Sequence, residues 1–160
     1  MKVEQLMTKE VASCRPDDSL NQAAGIMWER DCGVVPVVDG DGRHLVGVVT
    51  DRDLCMAAYF HGARLKEIPI REAMSTGVRA CRPGDEISEA EETMRAAQVH
   101  RLPVVDDADQ LLGVLSLADL AREGAREAGS KRREVTEAEI GGTVAAIRQP
   151  HRATSSAGAR

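Results

Sequence analysis

The stretch GVVTDRDL, residues 47–54, ends an apolar run in a hydroxyl and two carboxylates. The same order of residue types returns in GVLSLADL, residues 113–120: a glycine, two apolar residues, a hydroxyl, two variable positions, an aspartate and a leucine. An apolar run followed by Thr or Ser, with an acid three residues later, is typical of a strand that leads into a capped helix. The sequence therefore predicts the same strand–helix junction twice.

The repetition extends beyond these junctions. Residues 7–39 match residues 74–106 at an offset of 67, through Met-Thr and Met-Ser, two Cys-Arg-Pro tripeptides and two Pro-Val-Val-Asp tetrapeptides. The offset then becomes 66, because the turn DGDGRH is one residue longer than its counterpart DDADQ. Loops tolerate such a difference. A duplicated unit predicts two repeats that bury their apolar faces against each other.

Each repeat predicts the order strand, helix, strand, strand, helix. The short first strands are expected at Val11–Ser13 and Val78–Ala80, and the first helices follow caps at Asp18 or Ser19 and at Asp85. The apolar stripes of these helices comprise Leu20, Ala23, Ala24 and Met27 in one repeat and Ile87, Ala90, Met94 and Ala97 in the other. The last helices are expected from Thr50 to about Phe60 and from Ser116 to about Ala128.

These elements predict an α/β (α+β) fold of two β-α-β-β-α repeats packed with pseudo-twofold symmetry. We assign repeat 1 to residues 1–60, a connector to 61–73, repeat 2 to 74–128, and a C-terminal short helix with a mobile tail to 129–160. Met1–Thr8 predicts a further short helix. Thr136 with Glu139 predicts the cap of the C-terminal helix, whereas the tail after it has too few apolar residues to fold.

Composition limits the function classes. The 160 residues are 42% hydrophobic and 29% charged, which predicts a globular protein, and no window has the apolar length of a membrane span or a signal peptide. We therefore expect a cytoplasmic protein. Aromatic residues make up 2% and the net charge is −5, so a base-stacking surface and a positive field for nucleic acid are both lacking.

The four cysteines form no C-x-x-C pair and have no histidine at metal-ligand spacing. Reduced thiols are therefore expected, with no metal site. Cys14 and Cys81 occupy matching repeat positions and would approach each other if the halves packed symmetrically, although a small buried hydrophobic residue is the simpler interpretation of each.

Thr50 with Asp53, and Ser116 with Asp119, have two compatible interpretations. In the first, purely structural interpretation, each pair is a helix cap. In the other, each helix begins at the carboxyl end of a buried strand, where free N–H groups favour a phosphate, the hydroxyl donates to that phosphate, and the aspartate accepts from ribose hydroxyls.

The paired motifs resemble the cystathionine β-synthase (CBS) domain, arranged as a tandem pair or Bateman module. The resemblance rests on P-V-V-D…G-V-V-T-D-R-D and P-V-V-D…G-V-L-S-L-A-D, preceded by M-T…C-R-P and M-S…C-R-P, and it covers about residues 3–124. It implies two clefts between pseudo-twofold repeats that bind AMP, ADP, ATP or a related adenosyl ligand such as S-adenosylmethionine, with no cofactor required. It also implies a homodimer, often a disc, and a regulatory output to an unidentified protein partner.

Carried over by position, the resemblance assigns phosphate and ribose contacts to Thr50 and Asp53 in one cleft and to Ser116 and Asp119 in the other. It assigns base-facing contacts to the first strand and to the strand around the proline of each repeat, which here are Ala12, Ser13, Val35, Pro36, Ala80, Cys81, Leu102 and Pro103.

The two clefts are predicted to differ. Arg52 has Ala118 as its counterpart, and Arg101 has Val34, so additional phosphate charge would be held unequally. A solvated surface arginine is an equally good interpretation of Arg52 and Arg101.

Other function classes fit the sequence less well. Cys55 and His61 have no third group to orient them, so we do not expect an enzyme. The strongest alternative to a ligand sensor is a CBS pair that binds no nucleotide and acts only as a dimerisation or protein-interaction scaffold.

Overall fold

The computed structural model describes residues 1–127 and 135–148. The strands are β1 (Thr8–Lys9), β2 (Val34–Val38), β3 (Leu45–Thr50), β4 (Arg101–Val105) and β5 (Leu111–Ser116). The α-helices are α1 (Leu20–Glu29), α2 (Asp51–His61), α3 (Ile87–Ala97), α4 (Leu117–Glu127) and α5 (Glu137–Ile147). Three short 3-10 turns cover Val3–Gln5, Leu65–Glu67 and Ile70–Glu72.

Each repeat contains one antiparallel hairpin of its two long strands. In repeat 1 Pro36 lies opposite Val48, and in repeat 2 Pro103 lies opposite Val114. Both hairpins carry a register shift near the turn, between Val37 and Val38 in the first and at the equivalent position in the second. The matching registers confirm that the two halves of the sequence form the same unit.

The segment before each repeat pairs with the hairpin of the other repeat. Thr8 of β1 lies opposite Val114 of β5, and the equivalent Ser75 exchanges two backbone hydrogen bonds with Val48 of β3, at 2.9 and 3.0 Å. His44 also pairs with its own counterpart, Gln110. These reciprocal contacts are the pseudo-twofold symmetry that the sequence predicts.

The glycine of each repeated junction lies at this crossing. A Cβ on Gly113 would stand 2.5 Å from the Thr8 carbonyl oxygen, and one on Gly47 would stand 2.8 Å from that of Ser75. Cβ atoms do not approach backbone oxygens so closely. The glycine at the start of each repeated stretch is therefore required because the other repeat's leading segment passes over it.

Two aliphatic cores follow from this arrangement. Residues of the predicted helical stripes are buried, with Leu20 and Ala23 in one core and Ile87 and Met94 in the other. Val3, from the extreme N-terminus, packs into the core formed by repeat 2, and the cores are built mainly from Val, Leu, Ile, Met and Ala side chains. Aliphatic packing accounts for the scarcity of aromatic residues.

The predicted first strands are wrong in detail. Neither Val11–Ser13 nor Val78–Ala80 forms a strand, and only the residues just after them, Cys14 and Cys81, make isolated parallel bridges to the hairpins. Proline follows two residues after each bridge and has no N–H to extend the pairing.

The predicted capping aspartates stabilise the turns that precede the helices. Asp18 accepts from the Arg15 N–H at 2.8 Å, and Asp85 accepts from the Arg82 N–H at 2.7 Å. Ser19 stands at the N-cap of α1 without a side-chain cap hydrogen bond. Where a short helix was predicted, Met1–Thr8 forms the 3-10 turn Val3–Gln5 and the first residue of β1.

The helix α5 confirms the prediction made for the C-terminal region. Thr136 Oγ1 accepts from the Glu139 N–H at 3.3 Å, and the Glu139 carboxylate accepts from the Thr136 N–H at 2.9 Å. The helix packs against α3 and α4 of repeat 2. The predicted mobile tail lies outside the described residues.

Candidate functional site

The first junction forms a complete capping box. Thr50 donates to Asp53 Oδ2 twice, from Oγ1 at 2.7 Å and from its backbone N–H at 2.8 Å, and the Asp53 N–H donates back to Thr50 Oγ1 at 3.2 Å. The helix begins directly after β3, so its free N–H groups lie at the carboxyl end of that strand. The cap and an exposed helix N-terminus therefore coexist here.

The second junction repeats this geometry and adds an ion pair. Ser116 donates to Asp119 Oδ2 from Oγ at 2.6 Å and from its N–H at 2.8 Å. Arg122, one turn later on α4, pairs with the other carboxylate oxygen, Oδ1. Asp119 is 8% exposed, and both of its oxygens are engaged. This carboxylate therefore stabilises the start of α4.

A pocket of about 930 Å³ lies between the two repeats. Pro36 and Val48 of the first hairpin and Pro103 and Val114 of the second give it an apolar wall. The lining also includes the α2 N-terminus from Thr50 to Arg52 and residues 75–79, which lead into repeat 2. The pocket thus combines the helix N-terminus of one repeat with the leading segment of the other.

Three arginines line this pocket, namely Arg52, Arg79 and Arg101. Within residues 1–127 and 135–148, their guanidinium groups form no hydrogen bond or ion pair. Among the described residues, Asp51 is the one carboxylate in the lining. A surplus of positive charge in a concave site of a chain with net charge −5 favours an anionic ligand.

His100 also lines the pocket, and its pKa lies below the ordinary histidine value. Burial is the main cause, and the positive charges of Arg148 and Arg101 add to it. Arg148 follows the last residue of α5, and Ile147 of that helix lines the pocket as well. The C-terminal helix therefore contributes to the site.

The residues predicted for the site fall into three groups. Pro36, Thr50, Arg52, Arg101 and Pro103 line the pocket. Asp53 lies outside the lining and accepts a hydrogen bond from the Thr50 hydroxyl. The remaining predicted residues do not belong to its lining, and these are Ala12, Ser13, Val35, Ala80, Cys81, Leu102, Ser116 and Asp119.

Burial explains part of this division. Val35 and Leu102 are fully buried and Cys81 is 5% exposed, so these residues present almost no surface to a ligand. The structure also brings Arg101 of repeat 2 into the same pocket as Arg52 of repeat 1.

Of the three pocket arginines, Arg79 is the one that the sequence prediction missed. Its counterpart in repeat 1 is Ala12, just as Ala118 and Val34 are the counterparts of Arg52 and Arg101. In the repeat alignment each of these three arginines is matched to an uncharged residue, and this difference between the repeats could have identified all three.

Cys14 and Cys81 are small buried core residues, which is the simpler of the two interpretations of their matching positions. Cys14 lies in the repeat 1 core and Cys81 in the repeat 2 core, and neither forms a disulfide. Burial, assisted by Asp18 and Asp85 respectively, raises the pKa of each thiol to about 11. Both are therefore protonated, unreactive core residues at neutral pH.

Comparison with known proteins assigns the architecture. The CBS domain model matches residues 3–59 and 67–126, which is most of the chain. The chain belongs to the CBS domain family. The CBS domain-containing protein YhcV of Bacillus subtilis is 34% identical to it over 119 residues, covering 74% of this chain and 82% of YhcV.

Solved CBS structures have the same fold. CBSX2, solved in complex with AMP, superposes with a TM-score of 0.68 at 24% identity, covering 78% of this chain and 96% of CBSX2. The CBS domain pair of MJ0100, solved with 5′-methylthioadenosine and S-adenosyl-L-methionine, gives a TM-score of 0.69 at 24% identity, covering 82% and 98%. These likenesses show a tandem CBS pair.

The described residues offer neither a cluster of metal ligands nor a membrane-spanning helix. In the described part of the chain, no three His, Cys, Asp or Glu side chains cluster closely enough to hold a metal ion. None of the helices within 1–127 and 135–148 combines the length and apolar character needed to cross a bilayer.

Proposed function

We propose that this CBS domain pair is a regulatory sensor that binds a phosphate-bearing adenosine ligand in the pocket between its repeats. The observation that carries the proposal is that three arginines, whose guanidinium groups have no partner among the described residues, share the pocket lining with the α2 N-terminus. Guanidinium groups bind phosphate oxygens in bidentate geometry, and helix N–H groups add to that attraction.

The pocket has a separate place for a base. Its prolines and valines suit a flat purine ring, whereas its arginines suit the phosphates of a nucleotide. CBSX2 with AMP and MJ0100 with adenosyl ligands support the adenosine moiety. The positive lining favours AMP, ADP or ATP over S-adenosylmethionine, because the latter carries a sulfonium cation.

The position of the pocket suggests how binding would be transmitted. A ligand shifts a conformational equilibrium only if it binds one arrangement better than another. This pocket is lined by both repeats and by Ile147 of α5, so its occupancy would favour one relative placement of these parts. We propose that a protein partner recognises that placement.

The test is thermal melting with adenosine, AMP, ADP, ATP, S-adenosylmethionine and NAD(H). A ligand that binds only the native state raises Tm by mass action, so the phosphorylated ligands should raise Tm and adenosine should do so least. Arg79→Gln should reduce the shift, whereas Arg30→Gln, an exposed arginine outside the pocket, should not.

The contrary result points to the scaffold alternative. The observation that favours it is that both repeated aspartates already complete the capping boxes of their helices, with both oxygens of Asp119 engaged. If no ligand of the series shifts Tm at millimolar concentration, the sensor proposal fails and the pair acts through protein contacts alone.

A further inference from the structure

The helix α5 is an addition to the duplicated fold. It begins at Glu137, beyond residue 126, which is the last one that the CBS domain model matches. Repeat 1 shows that the repeated unit folds without such a helix, because the described residues 62–86 between α2 and α3 form two 3-10 turns and no α-helix. The packing of α5 on α3 and α4 therefore needs an explanation other than the folding of a CBS repeat.

The last turn of α5 joins the pocket to repeat 2. Ile147 belongs to both, since it lines the pocket and packs in the repeat 2 core. Gln98, another lining residue, donates from Nε2 to the Ala146 carbonyl oxygen at 3.3 Å. Arg148, the next residue, stands close enough to His100 of the lining for its positive charge to lower the histidine pKa. The pocket wall is therefore complete only while the end of α5 is docked.

The rest of the contact between α3 and α5 contains unsatisfied polar groups. Glu91 of α3 is 4% exposed and lies near the like charge of Glu139 on α5, and its Oε1 has no hydrogen-bond partner among the described residues. Arg95 attracts Glu91, yet its own buried Nε lacks a partner there as well. Thr143 is fully buried, and its hydroxyl donates to a carbonyl of its own helix. Buried polar groups that gain no partner across an interface weaken it, so α5 is held less firmly than an apolar helix would be.

Charge links the docking of α5 to the content of the pocket. In the docked position Arg148 lies near His100, as Arg101 does, and the lining also holds Arg52 and Arg79. Like charges repel, so without an anion these groups oppose docking at this end of the helix. A phosphate group reverses the sign, because it attracts Arg148 together with the lining arginines. An anionic ligand therefore binds the docked arrangement better than the undocked one.

We propose that α5 is a ligand-controlled cover: a phosphate-bearing nucleotide in the pocket holds α5 on repeat 2, and loss of the nucleotide releases it from α3 and α4. This role rests on the proposed nucleotide binding and names the element that moves. A ligand shifts an equilibrium only through a difference in affinity between two states, and Ile147 and Arg148 supply that difference. Release uncovers the surface of α3 and α4 that α5 contacts, so a partner meets a surface that the bound state hides.

Hydrogen–deuterium exchange of the full chain, followed by mass spectrometry of α5 peptides, measures the opening. Without nucleotide we expect the α5 amides to exchange faster than those of α3. Saturating ATP should slow α5 exchange at least about fivefold, and adenosine, which has no phosphate to attract Arg148, should slow it less. Glu91→Met replaces the unpartnered carboxylate by an apolar side chain of similar size and should slow α5 exchange without nucleotide.

Arg148→Gln separates the charge of α5 from its packing. Arg30→Gln is the matched control, because Arg148 and Arg30 are both exposed residues at helix C-caps, of α5 and α1 respectively. In isothermal titration Arg148→Gln should weaken ATP binding about fivefold and change adenosine binding little, and it should lose most of the ATP-dependent slowing. Arg30→Gln should behave as the wild type does in all three measurements.

Ile140→Asp tests the coupling from the other direction. Ile140 packs against the repeat 2 core and does not belong to the pocket lining, so a charge there should undock α5 without contacting the ligand. Coupling between two equilibria is reciprocal. The affinity for ATP should therefore fall by about the same factor by which ATP slows α5 exchange in the wild type.

Three results would overturn the proposal: α5 amides that exchange no faster than those of α3 without nucleotide, α5 exchange that bound ATP leaves unchanged, or an Arg148→Gln variant that keeps the full ATP-dependent slowing. In each of these cases the sensor proposal stands as long as ATP raises Tm. If no nucleotide raises Tm or binds in titration, the sensor proposal fails and the cover fails with it.

Discussion

Asp119 forms an ion pair with Arg122, whereas its counterpart Asp53 has Met56 in the place of that arginine. The same motif therefore lies in two different electrostatic environments. Asp53 is hydrogen-bonded by Thr50 through one oxygen beside the pocket, while both oxygens of Asp119 are engaged. A repeated sequence motif is thus no evidence for two equal ligand sites.

Removing the two aspartates should have unequal effects on folding. Asp119→Ala removes a buried cap and should lower the free energy of unfolding by about 1–2 kcal/mol, and Asp53→Ala by about 1 kcal/mol. Urea denaturation measures both. The control Arg122→Met, which copies repeat 1, removes only a largely exposed partner and should cost less than about 1 kcal/mol. Equal losses for Arg122→Met and Asp119→Ala would contradict the structural role of the cap.

Gly113→Ala and Gly47→Ala should each destabilise the chain by about 1–3 kcal/mol, because the new methyl group would collide with a backbone oxygen of the other repeat. Gly84→Ala is the matched control, since a Cβ there meets nothing within 4 Å. Thermal and urea denaturation of the three variants would show the difference. A neutral Gly113→Ala would mean that β1 does not cross β5 as described.

Glu91 should make stability depend on pH. Its carboxylate is 4% exposed, and Oε1 has no hydrogen-bond partner within the described residues. Burial, followed by the negative charge of Glu139 on α5, raises its pKa above the ordinary glutamate value, and Arg95 opposes the rise. A carboxyl with a raised pKa in the folded state stabilises that state fully below the unfolded pKa, and this contribution is lost as pH rises through the folded pKa.

The variant Glu91→Gln removes that titration. Its Tm minus the wild-type Tm should therefore be more positive at about pH 8 than at about pH 4. The exposed Glu4→Gln is the control, for which the difference should stay flat. A flat difference for Glu91→Gln as well would show that Glu91 keeps its charge in the folded chain at no cost.

The positive charge of the pocket should make ligands with more phosphate groups bind more tightly. Arg101→Gln should weaken ATP binding about tenfold, the equivalent of about 1.4 kcal/mol, and should change adenosine binding little. Isothermal titration with adenosine, AMP and ATP gives the comparison, and the ATP loss should shrink at high salt. Equal losses for adenosine and ATP would place Arg101 at the base instead of the phosphates.

Much of the fold was predictable because its signals are local. Helical stripes such as Leu20–Met27, the Thr50 and Thr136 caps and the paired hairpins each depend on residues a few positions apart. The first strands failed for a local reason too, since a proline soon after Cys14 and Cys81 prevents extended pairing.

The sequence by itself determined the duplication, the order of elements in each repeat and the two capped junctions, since periodicity and capping act over one or two helical turns. Only the tertiary structure decided that Thr50 and Arg52 share a pocket with Arg79 and Arg101. It also decided that α5 covers repeat 2 and leaves the aromatic residues of repeat 1 exposed. These relationships join residues tens of positions apart, and they follow from how two apolar repeats pack across a pseudo-twofold axis, which no local pattern encodes.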